Sequence, residues 1–233
     1  MNVELQPIAI IETPYQQKFA IPRQPGLVNS ALGVIRFLPE FNDPNMVRSI
    51  EQFSHLWLIF QFHQTVAKGW SPLVRPPRLG GNQKAGVLAT RSTFRPNGLG
   101  LSVVELVKVS YQQQQLELHV RGMDLVNGTP ILDIKPYLPY ADSIPQATGG
   151  FAQCSPELMP VCFSDQSQQQ LLAMSKHYPD LQTLIIEILG QDPRPAYHAE
   201  TESNKSYGMS LYDLNIQWRV CDGTCLVETI TKS

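Results

Sequence analysis

LSVVELVKVSYQQQQLELHVRGMDLVNGTPILDI, residues 101–134, decides the fold. Residues 101–109 read as a strand. Residues 116–121 alternate cleanly, with Leu116, Leu118 and Val120 on one face and Glu117, His119 and Arg121 on the other. Asn127-Gly128 is a tight-turn signal, and Thr129–Ile134 reads as the next strand. Upstream, residues 6–12 (PIAIIET, closed by Pro14), 32–38 (LGVIRFL) and 86–92 (GVLATRS) are strand-like. Residues 53–62 (FSHLWLIFQF) are apolar on both faces, which predicts a strand buried on both sides. The one early helix should start at Asp43-Pro44, an N-cap acceptor followed by a proline at the first helical position, and run to about Gln52. Short strands in succession without a βαβ rhythm argue for a mainly β protein, an antiparallel sheet or barrel.

Downstream the pattern breaks. Residues 143–167 have no periodicity and hold three prolines and Gly149-Gly150. Helices follow at about 165–177 and 180–189; the second gathers Leu181, Leu184, Ile185, Ile188 and Leu189 on one face and stops at Gly190. Gln191–His198 is a proline-braced loop, and a hairpin closes the chain, alternating from Leu214 to Val220, turning at Asp222-Gly223 and running to Ile230. The expected organisation is a β-barrel over 1–145, a linker over 146–164 and a small α+β unit over 165–233.

The 233 residues, 42% hydrophobic and 16% charged, belong to a folded soluble protein. No apolar run spans a bilayer, and MNVELQPIAI lacks the features of a signal peptide, so the expectation is a cytoplasmic protein with no membrane partner. The cysteines at 154, 162, 221 and 225 lack the paired short spacings of a zinc site and read as free thiols, with no metal. Charge is uneven: residues 1–142 carry 13 basic and 10 acidic side chains, residues 143–233 carry 5 and 10. Between Glu51 and Glu105 there is no acidic residue, but there are six basic ones: Lys68, Arg75, Arg78, Lys84, Arg91 and Arg95. Pro76-Pro77, Gly80-Gly81 and Asn97-Gly98 punctuate this band with turns. Uncompensated cations on fixed bends describe a site for an anion.

There is no GxGxxG after a strand, no Walker loop, and no HExxH, GxSxG or paired CxxC. What remains is a set of guanidinium groups, which suit phosphates, with Asp133 beside Lys135 and aromatic rings at Tyr137 and Tyr140 that can stack on an unpaired base. Taken alone, Asp133 reads equally well as a salt-bridged strand residue and as a functional group. His63, at a strand end just before the band, reads as a structural histidine or a catalyst.

IPRQPGL (21–27), EQFSHLW (51–57), VRPPRLGGN (74–82), ATRSTFRPN (89–97), GLS (100–102), DLVNGTP (124–130), DIKPYLPYAD (133–142) and QDPRPAY (191–197) together resemble the TsaA-like family over nearly the whole chain, and in particular its bacterial tRNA (adenine-N6)-methyltransferases. The resemblance implies a single-sheeted, non-Rossmann β-barrel that binds S-adenosylmethionine, a homodimer, and methylation of N6 of threonylcarbamoyladenosine at position 37 of threonine tRNAs. By resemblance, methyl-donor contacts fall on Arg23, Gln24, Pro25, His63, Gln64, Arg91, Asp124, Leu125, Asn127, Gly128, Thr129 and Pro130. The tRNA and target base fall to Arg95, Asn97, Asp133, Lys135, Tyr137 and the loop of Arg194, with Arg75 and Arg78 in the basic band. The exocyclic nitrogen must lose a proton as it is methylated, which makes Asp133 the first candidate acceptor and His63 the second. Two departures stand out: Gly98-Leu99-Gly100 replaces the family's commoner Pro-Ile-Gly, and Asn127 stands where an aspartate is frequent. The alternative from another class is a non-catalytic RNA-binding barrel, which would use the band and the aromatics without a donor pocket.

Overall fold

The computed structural model describes residues 3–194 and 205–233. In chain order the first strands are β1 (Ala9–Glu12), β2 (Leu32–Phe37), β3 (His55–Gln61), β4 (Leu73–Val74) and β5 (Ala85–Gly86). Then come β6 (Leu99–Gln112), β7 (Gln115–Arg121), β8 (Thr129–Pro136) and the short helix α1 (Pro139–Asp142). The remainder is β9 (Val161–Phe163), α2 (Asp165–Met174), α3 (Leu181–Leu189), β10 (Tyr207–Leu211), β11 (Leu214–Cys221) and β12 (Thr224–Lys232).

Six strands close a barrel in the order β1-β2-β7-β6-β3-β8, with β8 returning to β1 and every pairing antiparallel. Closure leaves no free edge, which explains how such short strands hold together. Alternate residues fill the interior: Ile11, Ile35, Leu56, Leu58, Leu116, Leu118 and Ile131 are fully buried. The alternation expected for residues 116–121 is the one observed. β3 differs from expectation, because burial alternates along it: Leu56, Leu58 and Phe60 enter the core while Trp57 and Ile59 stay half-exposed outside. The barrel wall is one layer thick, and the outer face of that stretch stays partly open.

Two further expectations change. Asp43-Pro44 starts only a 3-10 turn, Pro44–Val47, with the Asp43 carboxylate accepting from the Asn45 N–H at 2.9 Å. Ser49 then takes a left-handed φ of 71° before a second turn, Ile50–Gln52. Neither turn has a fully buried residue, and the partly buried Val47 and Ile50 give the core too little packing to reward a longer helix. Residues 86–92 are not a strand: β5 is two residues long and passes into the 3-10 turn Val87–Ala89. Its partner β4 lies between Pro72 and Pro76, which cannot donate to a longer ladder.

The basic band is therefore a lobe hung on the barrel between β3 and β6. Its base is closed by the Phe62 N–H donating to the Gly98 carbonyl at 2.8 Å. The stretch expected to be a linker contains a turn, Gly150–Ala152, and β9, which pairs in parallel with β12 at the edge of the sheet β10-β11-β12-β9. α3 buries its five expected apolar residues against that sheet's core. The C-terminal unit meets the barrel at the Tyr15–Leu211 bridge and where the Tyr212 N–H donates to the Pro14 carbonyl at 2.8 Å.

Candidate active-site groove

An open groove of about 1240 Å³ runs between the outer face of β3 and β6, the loop before β2, the lobe and the segment following α3. Its walls are apolar where Phe19, Ile21, Phe60, Phe62, Phe94 and Leu125 line it, and cationic where Lys18, Lys68, Arg91, Arg95 and Arg194 do.

The floor is built at the mouth of the barrel. Ser102 points inward from β6 and donates to the Asp124 carboxylate at 2.5 Å. Burial pushes the Asp124 carboxyl above the usual carboxylate range, against the Ser102 hydrogen bond, its own backbone N–H and the nearby Arg91 guanidinium, which all pull the other way. Arg91 itself crosses to Gln24, donating from Nη1 to the side-chain oxygen at 2.5 Å. Beside Ser102, Phe60 lies over Gly100. A Cβ on Gly100 would sit 2.3 Å from the Phe60 ring, so only glycine lets that aromatic wall form.

The rim carries the second group of residues, and a β-bulge decides its composition. β8 pairs Ile131 with Phe60 and Asp133 with Ile59, so Leu132 is one residue too many. Thr129 and Ile131 point into the core, and an unbroken alternation would have sent Asp133 in after them. The extra residue reverses the phase. Ile134 turns inward, while Asp133 and Lys135 emerge on the outer face opposite Ile59 and Trp57, both of which line the groove. The Asp133 carboxylate is exposed and accepts from the Ile134 N–H at 2.9 Å. Trp57 is tethered by its Nε1–H to Asp142 at 3.0 Å, the same oxygen that accepts from the Leu138 N–H at 2.8 Å. Those two hydrogen bonds, the backbone one first, hold the Asp142 carboxyl below its usual range. The turn they close sets the Tyr137 ring 5.8 Å from Trp57 and 6.3 Å from His55.

Of the residues expected to meet the donor, Arg23, Gln24, Pro25, His63, Gln64, Arg91, Asp124, Leu125 and Thr129 line the groove. Asn127, Gly128 and Pro130 do not. The Asn127 side chain braces the end of β1 instead, accepting from the Thr13 N–H at 3.0 Å and donating to Gln16 at 3.3 Å. Gly128 donates to the Ile11 carbonyl, and Pro130 is paired with Ile10 inside the barrel wall. Of those expected to meet the tRNA, Arg95 and Arg194 line the groove, Lys135 and Tyr137 stand at its rim, and Arg75, Arg78 and Asn97 lie on the lobe outside it.

Several guanidinium groups are partly committed. Arg23 donates to the Gln191 and Asp192 carbonyls (3.4 and 2.6 Å), Arg95 to the Val87 and Thr90 carbonyls (3.3 and 2.7 Å), and Arg78 to the Cys154 carbonyl at 2.6 Å. Arg194 forks onto the Asp192 carboxylate. Among the described residues no ion pair reaches Lys68, Arg75, Arg78, Lys84, Arg91 or Arg95, so the lobe's positive charge is not neutralised from within. Arg194 is the last residue described before the gap, and Tyr197 and His198 lie outside the described residues. The groove also uses residues that sequence reading did not assign: Ser102, whose inward direction follows from the strand period, and Phe60 and Phe62, which read as ordinary core.

Two family models match consecutive parts of the chain: a tRNA-methyltransferase O N-terminal domain over residues 10–143 and a TrmO C-terminal domain over residues 156–233. A tRNA (adenine(37)-N6)-methyltransferase of Escherichia coli K12 is 50% identical over 222 residues, covering 95% of this chain and 94% of that one. A probable S-adenosyl-L-methionine-binding protein of Pyrococcus abyssi is 39% identical over 137 residues, 59% of this chain and 69% of that one. A crystal structure of TrmO from Pseudomonas aeruginosa superposes with a TM-score of 0.83 at 36% identity, covering 100% of this chain and 98% of the other.

Proposed function

The chain belongs to the tRNA-methyltransferase O family, and from that premise we propose how it works as an S-adenosylmethionine-dependent tRNA adenine-37 N6-methyltransferase, and on which form of the base. The base is threonylcarbamoyladenosine, in tRNAs that read threonine codons, and the setting is the cytoplasm. The observation that carries the reading is the groove's double character. An aromatic, carboxylate-floored hollow continues into a lobe whose cations lack internal counter-charge. A non-catalytic RNA-binding barrel would need the lobe but not the hollow.

The residues fit the donor's chemistry. Phe62 and Phe94 offer flat apolar surface to an adenine, Asp124 an acceptor to ribose hydroxyls or an ammonium, and Arg91 a guanidinium to a carboxylate. The volume exceeds the roughly 300–1,000 Å³ usual for one small ligand, which leaves space for a flipped-out base. When bound, S-adenosylmethionine supplies a methyl group already activated on a sulfonium. The protein's task is then alignment of the attacking N6 and removal of its proton. Trp57 and Tyr137 hold the base at the rim, Lys135 faces the phosphate backbone, and Asp133 accepts the proton. Exposed apolar side chains along β6 (Leu101, Val107 and Tyr111) offer a surface to a second copy of the chain, in line with a homodimer.

In vitro methylation tests the base. Transcripts bearing threonylcarbamoyladenosine should yield a methylated nucleoside by mass spectrometry, and unmodified transcripts should not. Equal methylation of both would overturn this substrate.

Two further outcomes follow from the floor and the lobe. The Asp124 carboxyl is raised when folded, so its ionisation costs stability that the protein keeps at low pH and loses as pH rises through the raised value. Donor binding runs the opposite way, since a cationic ligand is favoured by the carboxylate. Calorimetric titration should show affinity for S-adenosylmethionine falling by up to about tenfold per pH unit below that value, whereas Asp124→Asn should bind weakly with little pH dependence. A wild-type affinity independent of pH would remove Asp124 from the donor site. On the lobe, no hydrogen bond or ion pair among the described residues involves Arg75 or Lys84. Arg75→Ala and Lys84→Ala should each weaken tRNA binding and reduce its salt slope by about one. An unchanged slope would move the RNA footprint elsewhere.

A further inference from the structure

We propose that Gln191, just beyond the C-terminal end of α3, is a positioning residue that sets the Arg23–Pro25 loop against the methyl-donor groove. The inference rests on the donor reading of that groove. Between Gln16 and Ala31 the chain has no helix or ladder of its own, so its position must be imposed by what it touches.

One end is fixed inside the barrel unit: Gly26 donates to the Gly122 carbonyl at 2.8 Å, both residues at positive φ. The stretch that enters the groove is fixed from the other unit. The Arg23 N–H donates to the Gln191 side-chain oxygen at 3.2 Å. Gln191 is 5% exposed, and its amide is oriented by its own nitrogen donating to the Glu187 carbonyl at 2.9 Å, one helical turn back. The oxygen that meets Arg23 therefore cannot swing away without breaking a second hydrogen bond. Asp192 follows at a φ of 48°, its carboxylate clamped by Nε and Nη2 of Arg194, and its carbonyl receives the Arg23 guanidinium at 2.6 Å. Glu187 secures the exit of the loop, accepting from the N–H groups of Asn29 and Ser30 and from the Ser30 hydroxyl at 2.6–3.1 Å.

The consequence reaches the floor. Arg23 is followed by Gln24, which accepts from Arg91 across the groove, and Arg91 lies close enough to Asp124 to lower its carboxyl's tendency to hold a proton. The line from α3 through Gln191 to Gln24, Arg91 and Asp124 makes the C-terminal unit a supporting wall of the donor site. If the loop is released, only a fraction of molecules present a binding-competent groove, and the apparent dissociation constant rises by the inverse of that fraction.

Full-length protein carrying Gln191→Leu, which keeps the bulk and removes the acceptor, should bind S-adenosylmethionine about tenfold more weakly by calorimetry if about one molecule in ten holds the loop in place. Its KM for the donor should rise in proportion. The kcat at saturating donor and the KM for tRNA should stay within about twofold, because bound donor restores the loop. Gln191→Asn, whose shorter amide cannot reach Arg23, should behave like the leucine variant even if the latter folds poorly. Wild-type affinity in both Gln191→Leu and Gln191→Asn would overturn the proposal, as would a kcat and a KM for tRNA that worsen as much as the KM for the donor, which would mean a packing role alone. Absence of donor binding by the wild-type protein would instead overturn the reading of the groove, and the inference with it.

Discussion

An Asp133→Asn variant is expected to lose about 10²–10⁴-fold in kcat while binding S-adenosylmethionine with unchanged affinity. The nucleophile explains the size of the loss. In the proposed carbamoylated substrate the N6 lone pair is drawn into both the ring and the carbonyl, so attack is slow unless the N–H proton is removed as the new bond forms. Asp133 is exposed, paired opposite groove-lining Ile59, and hydrogen-bonded to the neighbouring Ile134 N–H. Asparagine keeps the shape and that local hydrogen bond but cannot accept a proton. The two other candidates give different signatures. Asp124 lies in the floor beneath Ser102 and Arg91, so its replacement should damage donor binding first. His63 lines the groove at the end of β3, and His63→Gln should lower kcat only if the histidine takes the proton in place of Asp133. Single-turnover methylation of a preassembled donor complex separates the cases. Undiminished turnover by Asp133→Asn would pass the role to His63.

The position of Asp133 illustrates where sequence reading ends. The strand at 129–134 was legible, because β-propensity and turn residues are local. The single extra residue at Leu132 was not, since one slip in a period of two alters no composition and yet reverses every later side chain. The cations behave similarly. Their accumulation between Glu51 and Glu105 is plain in the chain, but whether a guanidinium faces a ligand or a backbone carbonyl depends on folded loops. Arg95 and Arg23 spend hydrogen bonds on carbonyls, whereas Arg75 and Lys84 do not. The amphipathic face of α3 was readable from its spacing. The use of that helix's end, where Gln191 and Glu187 grip a loop more than 150 residues earlier, is a long-range fact that no local pattern carries.

Gly100→Ala should destabilise the protein by about 1–3 kcal/mol, although alanine is ordinarily harmless in a strand. The reason is contact rather than conformation: Gly100 is not among the positive-φ glycines, so backbone strain plays no part. A Cβ there would lie 2.3 Å from Cζ and 2.4 Å from Cε2 of Phe60, on the strand paired directly opposite. Phe60 is 4% exposed and packs edge-on against Phe62 at 5.2 Å, so the ring cannot shift without disturbing packed neighbours. Either β3 and β6 move apart, straining the barrel, or the ring turns outward and fills the groove it lines. Both routes cost stability, and the second also blocks donor binding. For a chain of this size the loss corresponds to a fall in Tm of very roughly 2–12 °C. Phe60→Leu alone should cost about 1 kcal/mol or more through lost packing. The double variant should be more stable than the sum of the two losses predicts, since leucine vacates the volume the new methyl needs. Urea unfolding of the four proteins measures that coupling. Simple additivity, or a Gly100→Ala protein as stable as the wild type, would show that the ring is not held against the glycine as the structure describes.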